Sequence, residues 1–231
     1  MKVELIDAMG TDLSVVRAAR VSFQKETGWD VKGWDDDNNP IVELSGRDKK
    51  LISYLAKHNH WTPFGHCFAS FRIKAPLFVA RQLGKHQVGL CWNEVSRRYV
   101  DSEPEFYVPE AWRKRADNVK QGSSDEVVDM STVSGVDLKT MHDQLRYLIN
   151  DAQAVYRKLL AEGVCPEQAR MCLPQSMYVE FIWSGSLAAF ARVCKLRLDP
   201  HTQKETREIA EMISTEMSER FPVSWQALME N

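Results

Sequence analysis

The sequence lacks the features that would place it at a glance. No two of its five cysteines (Cys67, Cys91, Cys165, Cys172 and Cys194) form a CxxC pair, and their number is odd. That argues against a disulfide framework and for reduced thiols. Charge of either sign is not in excess: 30 lysines and arginines stand against 32 aspartates and glutamates, a net −2. Dedicated nucleic-acid binders carry a strong basic excess, so that class is disfavoured. No apolar run approaches a membrane span, and MKVELIDAMG has no apolar stretch behind its first charge. Neither an anchor nor a signal peptide is expected. A soluble, cytoplasmic chain forming one domain over residues 1–231 is the expectation.

What is present reads as α+β, a mostly antiparallel sheet with flanking helices. Lys2–Ile6 alternates and is expected to be a strand. The helix DLSVVRAARVSF follows, with Thr11 or Asp12 as its cap and Arg17 and Arg20 as a solvated stripe. Residues 25–46 turn polar and read as a long loop or insertion with a solvated acidic run. Asp48–His58 is expected to be a helix. HNHWTPFGH holds three of the six histidines, but Pro63 and Gly65 break any helix there, so hydrogen-bonded loop histidines are expected and no metal site. Cys67–Lys74 reads as a strand with Cys67, Ala69, Phe71 and Ile73 on one face.

Pro76 opens the helix PLFVARQLGKH, which Gly84 weakens and Gly89 ends. Asp101–Glu110 is an extended connection, and residues 114–137 form a second exposed polar insertion. Leu138–Glu162 restores a helical period and Gly163 caps it. Pro166 starts a short helix in which Arg170 sits among apolar neighbours, where a buried cation needs a partner or an anion. Tyr178–Trp183 is expected to be a strand, Ser184–Ser186 the turn into LAAFARVCKLR, and His201–Phe221 the closing helix.

The most informative stretch is Arg81–Tyr99, RQLGKHQVGLCWNEVSRRY. It mixes cations (Arg81, Lys85, Arg97, Arg98 and a protonatable His86) with the amides Gln82, Gln87 and Asn93 and one carboxylate, Glu94. Cations bind phosphate, while amides and a carboxylate read the edge of a planar ring. Composition alone leaves this stretch open between an anion pocket and a solvated helix end.

The motifs resemble those of the flavin-dependent thymidylate synthases, nearly end to end. That family's signature, Arg-His-Arg followed by a spaced Ser and continuing Asn-Glu-x-Ser-x-Arg-Tyr, is matched by Lys85-His86-Gln87, eight intervening residues and Ser96. Gln82, Asn93, Glu94, Arg98 and Tyr99 agree with its flanks. RAARVSF, HWTPFGH, ARMCLP and LRLDPHTQKE resemble four further family segments, in the family's order.

The resemblance implies transfer of a methylene from methylenetetrahydrofolate to C5 of dUMP, with FAD and NADPH as reductant and no cysteine nucleophile. It makes Arg197 catalytic and places Gln82, Lys85, Glu94, Ser96, Arg98, Arg170 and Arg197 on dUMP. Ser22, Thr62, His86, Gln87, Val88, Asn93, Glu94, Ser186 and Arg192 fall to FAD. It also implies a homotetramer with sites shared between subunits, and a chain this compact and divergent is compatible with a phage or viral copy. Several positions depart from the family pattern. Lys85 loses the guanidinium fork, Gln87 loses the charge, Gly65 replaces a glutamate, and Ser186-Leu187-Ala188 replaces Asn-Ala-Arg. These departures leave two rival readings: a dUMP-binding relative that transfers hydroxymethyl, and a nucleotide-binding protein without catalysis.

Overall fold

A computed structural model of the chain describes residues 1–117, 123–128 and 138–231. Strand β1 (Lys2–Met9) leads through Gly10 into helix α1 (Asp12–Arg20), where the Ser14 hydroxyl accepts from Thr11 N–H at 3.0 Å. Strands β2 (Asp30–Trp34) and β3 (Pro40–Glu43) form a hairpin inside what the sequence suggests is a loop. Its turn is built by Asp35, which accepts from the Asp37 and Asn39 amides, and by Asn38 at φ +61°. Asparagine tolerates that left-handed backbone, so the polar run DDDNN is a turn signal as much as a loop signal.

Helix α2 (Gly46–Lys57) is followed by a 3-10 turn over Thr62–His66, and the rings of His58 and His60 pack around Tyr54. Strand β4 (Phe68–Pro76) feeds directly into α3 (Leu77–Leu83). That helix stops at Gly84, short of the Gly89 the sequence suggests. Strand β5 (Leu90–Glu94), absent from the sequence reading, follows. A second hairpin, β6 (Arg113–Arg115) with β7 (Ser123–Val127), occupies part of the expected second insertion. The rest of that insertion, residues 118–122 and 129–137, lies outside the described residues.

Helix α4 (Leu138–Ala161) ends before Gly163 at φ +82°, and α5 (Pro166–Ala169) is a single turn. Strand β8 (Tyr178–Ser186) runs without a turn into α6 (Leu187–Arg197), because Ser184, Gly185 and Ser186 pair with β4 instead of bending. Helix α7 (Lys204–Arg220) starts later than expected, and Pro222 opens a separate α8 (Pro222–Glu230). The Asp12 carboxylate accepts from the Val223 and Ser224 amides at 3.0 and 2.8 Å, so it caps α8 across the fold.

The main sheet is antiparallel throughout, in the order β1-β4-β8-β5. Alternation on β4 and β8 gives it one apolar face: Ala69, Phe71, Ile73 and Ala75 beside Val179, Phe181 and Trp183, all buried. Helices α3, α6 and α7 cover that face, and Phe190 of α6 meets Phe71 and Trp183 edge-on at 5.1 and 5.4 Å. Burying each such ring contributes roughly 1.5–3 kcal/mol. The opposite face is polar, with Ser70 and Ser184 hydroxyls 2.8 Å apart and Arg72 paired to Glu180 at 3.5 Å.

Candidate active site

Strands β4 and β8 run antiparallel, and each turns directly into a helix on the same face. The C-terminal ends of those helices, α3 and α6, meet. Their last carbonyls carry partial negative charge, which favours a cation there. Arg197, the final residue of α6, supplies it: Nη2 donates to the Gln82 carbonyl at 3.3 Å and Nε to His86 Nε2 at 2.9 Å. The acceptor role of Nε2 puts the imidazole proton on Nδ1. Partial burial, then the neighbouring Arg197 charge, lower the pKa of His86; partial burial also lowers that of Arg197.

Two clefts flank this junction. One, about 690 Å³, is lined by Arg81, Gln82, Lys85, Arg197, His201 and Gln203 among others. The second, about 620 Å³, is lined by Lys85, His86, Gln87, Trp92, Glu94 and Trp183. Both sizes suit a nucleotide-sized ligand. Arg81 and Lys85 form the wall between them. The sequence gives Arg81 no role distinct from a solvated cation; only the meeting of two clefts at its position does.

Strand β5 explains which of its side chains reach the second cleft. Pairing with β8 sets Trp92 against Trp183 and Glu94 against Phe181, on the helix-covered face. Trp92 stacks on Phe181 at 3.6 Å and donates from Nε1 to Glu94 at 3.3 Å. Glu94 keeps a solvent path, yet desolvation by its surroundings raises its carboxyl pKa, against the pull of Trp92 and of Arg170. Asn93, one residue away, pairs with Ile182 on the polar face, so the sheet stands between it and the cleft.

The remaining expected site residues divide. Arg170 is exposed, contrary to the apolar burial its neighbours suggest: the 3-10 turn over Arg170–Cys172 rotates it outward, where its Nε donates to the Glu167 carbonyl at 3.3 Å. Ser96 accepts from Arg98 Nε at 3.2 Å, and that guanidinium lies 5.0 Å over Tyr99; none of these lines either cleft. Ser186 is buried and caps α6 through Ala189 N–H at 3.3 Å. Arg192 donates to the Val88 carbonyl at 2.8 Å, tying down the turn that exposes Gln87 and Val88. Ser22 and Thr62 are exposed and line neither cleft.

The residues of the second cleft fit a flavin or a base. The Trp183 indole N–H is buried there without a hydrogen-bond partner among the described residues, a donor that a ring carbonyl would satisfy. A Cβ on Gly185 would come within 2.8 Å of the Gly89 carbonyl and collide with Leu90. Only glycine lets β5 and its turn close against β8 at that point.

The model of the family described as thymidylate synthase complementing protein matches residues 4–223. The chain belongs to this family. It is 38% identical over 229 residues to the flavin-dependent thymidylate synthase of Thermus thermophilus, covering 99% of this chain and 76% of that one. With the flavin-dependent thymidylate synthase of Thermosipho melanesiensis it shares 35% identity, covering 97% and 89%. Among solved structures, a UMP/dUMP methylase from Streptomyces cacaoi bound with 5-Br dUMP superposes with a TM-score of 0.80. That pair is 29% identical over 99% of this chain and 94% of the other. That methylase thus shares this chain's α+β architecture across almost its whole length.

The His86–Arg197 contact carries a pH prediction. With the imidazole pKa below the ordinary 6.5, the folded state binds fewer protons than the unfolded one in the window between the two values. Stability from this contact is therefore present above pH 6.5 and lost as pH falls through the folded value. Turnover against pH is expected to show an acid limb below that point. His86→Gln, which keeps an acceptor but does not titrate, is expected to abolish the limb; its persistence would assign it elsewhere.

Proposed function

We propose that this chain converts dUMP to dTMP as a single-domain, flavin-dependent enzyme, with methylenetetrahydrofolate as the carbon donor. The observation that carries the reading is the cation at the helix junction. Arg197 lines the first cleft and is held by a backbone carbonyl and by His86 of the second, where negative charge developing on a uracil ring would be stabilised. Lys85 and Arg81 supply charge for the phosphate, and Gln82 and Glu94 the hydrogen bonds that orient the base. Arg170, Ser96 and Arg98, which line neither cleft, would reach the nucleotide bound to another subunit.

Cysteine chemistry is not available at these clefts. None of the five cysteines lines either one. Burial pushes the Cys67 thiol up to about 11 and the Cys194 thiol to about 12, and Cys91 faces the polar side of the sheet. A neutral buried thiol is a poor nucleophile. The base must be activated by charge, which is what Arg197 can offer.

FAD bound against His86, Gln87, Val88 and the orphaned Trp183 N–H would supply the hydride that turns the transferred methylene into methyl, NADPH replenishing it. Ser22, Thr62 and Asn93 lie away from the cleft, and apolar side chains surround two of them: Val21 and Phe23 are 70% and 74% exposed, Trp61 56%. Such exposed apolar surface marks an interface, and it supports a homotetramer in which these residues complete the flavin site of another subunit. Ser186 and Arg192 hold the frame of the site, Ser186 by capping α6 and Arg192 by fixing the Val88 turn.

Visible absorbance of the purified protein with added FAD, then product analysis of dUMP incubated with the folate and NADPH, tests the reading. Flavin binding and dTMP are expected. A protein that never binds flavin, or one that yields only hydroxymethyl-dUMP, would sink it. UMP in a parallel incubation tells whether the sugar 2′-position is read.

A further inference from the structure

Behind the nucleotide cleft lies a hydrogen-bonded chain that links the motif residues Gln82, Gln203 and Glu205 to Arg113 and Tyr107, which no motif contains. Glu205, at the start of α7, is 4% exposed and receives both guanidinium arms of Arg113, at 2.8 and 2.9 Å. The Tyr107 hydroxyl donates to the same carboxylate at 3.2 Å. Gln203 Nε2 donates to Glu205 Oε2 at 2.9 Å; Gln203 Oε1 accepts from Gln82 Nε2 at 2.5 Å; Gln82 Oε1 accepts from the Thr206 hydroxyl at 3.1 Å. Gln82 thus reaches the cleft with both ends of its amide already engaged.

The direction of this chain has one source. Gln82 and Gln203 could each flip, exchanging donor for acceptor, and a threonine hydroxyl serves either role, so none of them fixes the sense. An ionised carboxylate can only accept. Burial pushes the Glu205 pKa up, but the Arg113 bond and further donors outweigh it and hold the group at about 2, charged at any working pH. Gln203 must therefore turn its NH2 to Glu205 and its oxygen to Gln82, and Gln82 must turn its NH2 to Gln203.

We infer that Arg113 and Glu205 are positioning residues for nucleotide binding, setting through Gln203 which hydrogen-bonding atom of Gln82 each side of the cleft meets. The inference rests on Gln82 contacting dUMP, as proposed above. Glu205→Gln removes the constraint: a neutral amide loses one arm of Arg113 in either orientation, and with its NH2 towards Gln203 it lets both glutamines reverse. The remaining N–H and lone pair of Gln82 then exchange places, and a ligand matched to the original order meets donor against donor.

The test titrates dUMP calorimetrically into the flavin-loaded full chain. Glu205→Gln is expected to weaken dUMP about tenfold, the cost of one mispaired polar contact, with flavin content retained and Tm lowered by loss of the buried ion pair with Arg113. The exchange variant Gln203→Glu/Glu205→Gln puts the obligate acceptor next to Gln82 again and is expected to restore dUMP affinity to within about threefold. A simple structural loss would not be repaired by moving the carboxylate. Should Glu205→Gln not fold, Gln203→Leu removes the relay while leaving the Arg113 pair; unchanged dUMP affinity there overturns the inference. So does wild-type affinity in folded Glu205→Gln, or failure of the folded exchange variant to recover. Absence of dUMP binding by the wild type would instead remove the substrate assignment, and this inference with it.

Discussion

Arg197→Ala is expected to lower turnover roughly 10²–10³-fold, the scale of losing one preorganised donor to developing charge in a sheltered site. The fold should survive. Arg197 is half-buried at a helix terminus, and its two partners, His86 Nε2 and the Gln82 carbonyl, both border clefts where water can replace it. Arg197→Lys is the sharper comparison. Lysine keeps the charge but lacks the planar fork that reaches His86 and the backbone together, so it should recover only part of the loss. Single-turnover rates for both variants, measured with saturating dUMP and flavin, check the expectation. Wild-type rates for Arg197→Ala would show that the charge stabilising the ring comes from elsewhere, Arg81 and Lys85 being cations that line both clefts.

The frame of this site is legible in the sequence because periodicity survives folding where an element has one buried face. Cys67–Lys74 and Tyr178–Trp183 alternate, and both mark central strands; the stripes of α2, α4 and α7 likewise mark real helices. Legibility fails where distant pairing overrules local preference. Ser184–Ser186 resembles a turn, yet nine consecutive registered pairs between β8 and β4 keep it extended. Strand β5 is five residues long and follows a left-handed Gly89, so it reads as loop although Leu90 and Trp92 alternate with more exposed neighbours. The apolar character of its segment misplaces Arg170, because a 3-10 turn changes which residue faces in.

The polar contacts are harder still to read. Arg113 and Glu205 lie 92 residues apart, Tyr107 and Glu205 98, and Gln82 and Thr206 124. No window of sequence contains both members of any of these pairs. What the family motif supplies is Gln82 and Arg197 as separate letters; what the fold adds is the reason they stand together, namely two helices that leave adjacent antiparallel strands and end at one point.

The largest stability effect is expected at Asp48. Its carboxylate is 1% exposed and accepts from the Arg20 guanidinium, from Thr27 Oγ1 at 3.0 Å and from Ser45 Oγ at 2.9 Å. The sequence pattern puts Arg20 on a solvated stripe. Its side chain is instead only 16% exposed, and its Nε has no partner among the described residues. Asp48→Ala would leave that guanidinium with no counter-charge in a site water barely enters, a loss on the order of 3–5 kcal/mol. For a chain of this size that lowers Tm by roughly 10 °C or more. Asp48→Asn, whose amide oxygen can still accept from Arg20 while its NH2 donates to the Ser45 or Thr27 hydroxyl, should lose less. A thermal melt of the three proteins checks this, and a shift of under a degree for Asp48→Ala would show that Arg20 finds another partner or reaches solvent. The consequence extends to function. Arg20 is the last residue of α1, and the next turn, Val21–Phe23, carries Ser22. Loosening the Arg20–Asp48 pair frees that turn, so with Ser22 at the flavin as proposed, flavin affinity should fall along with Tm, while dUMP binding, proposed at the α3–α6 junction, should not.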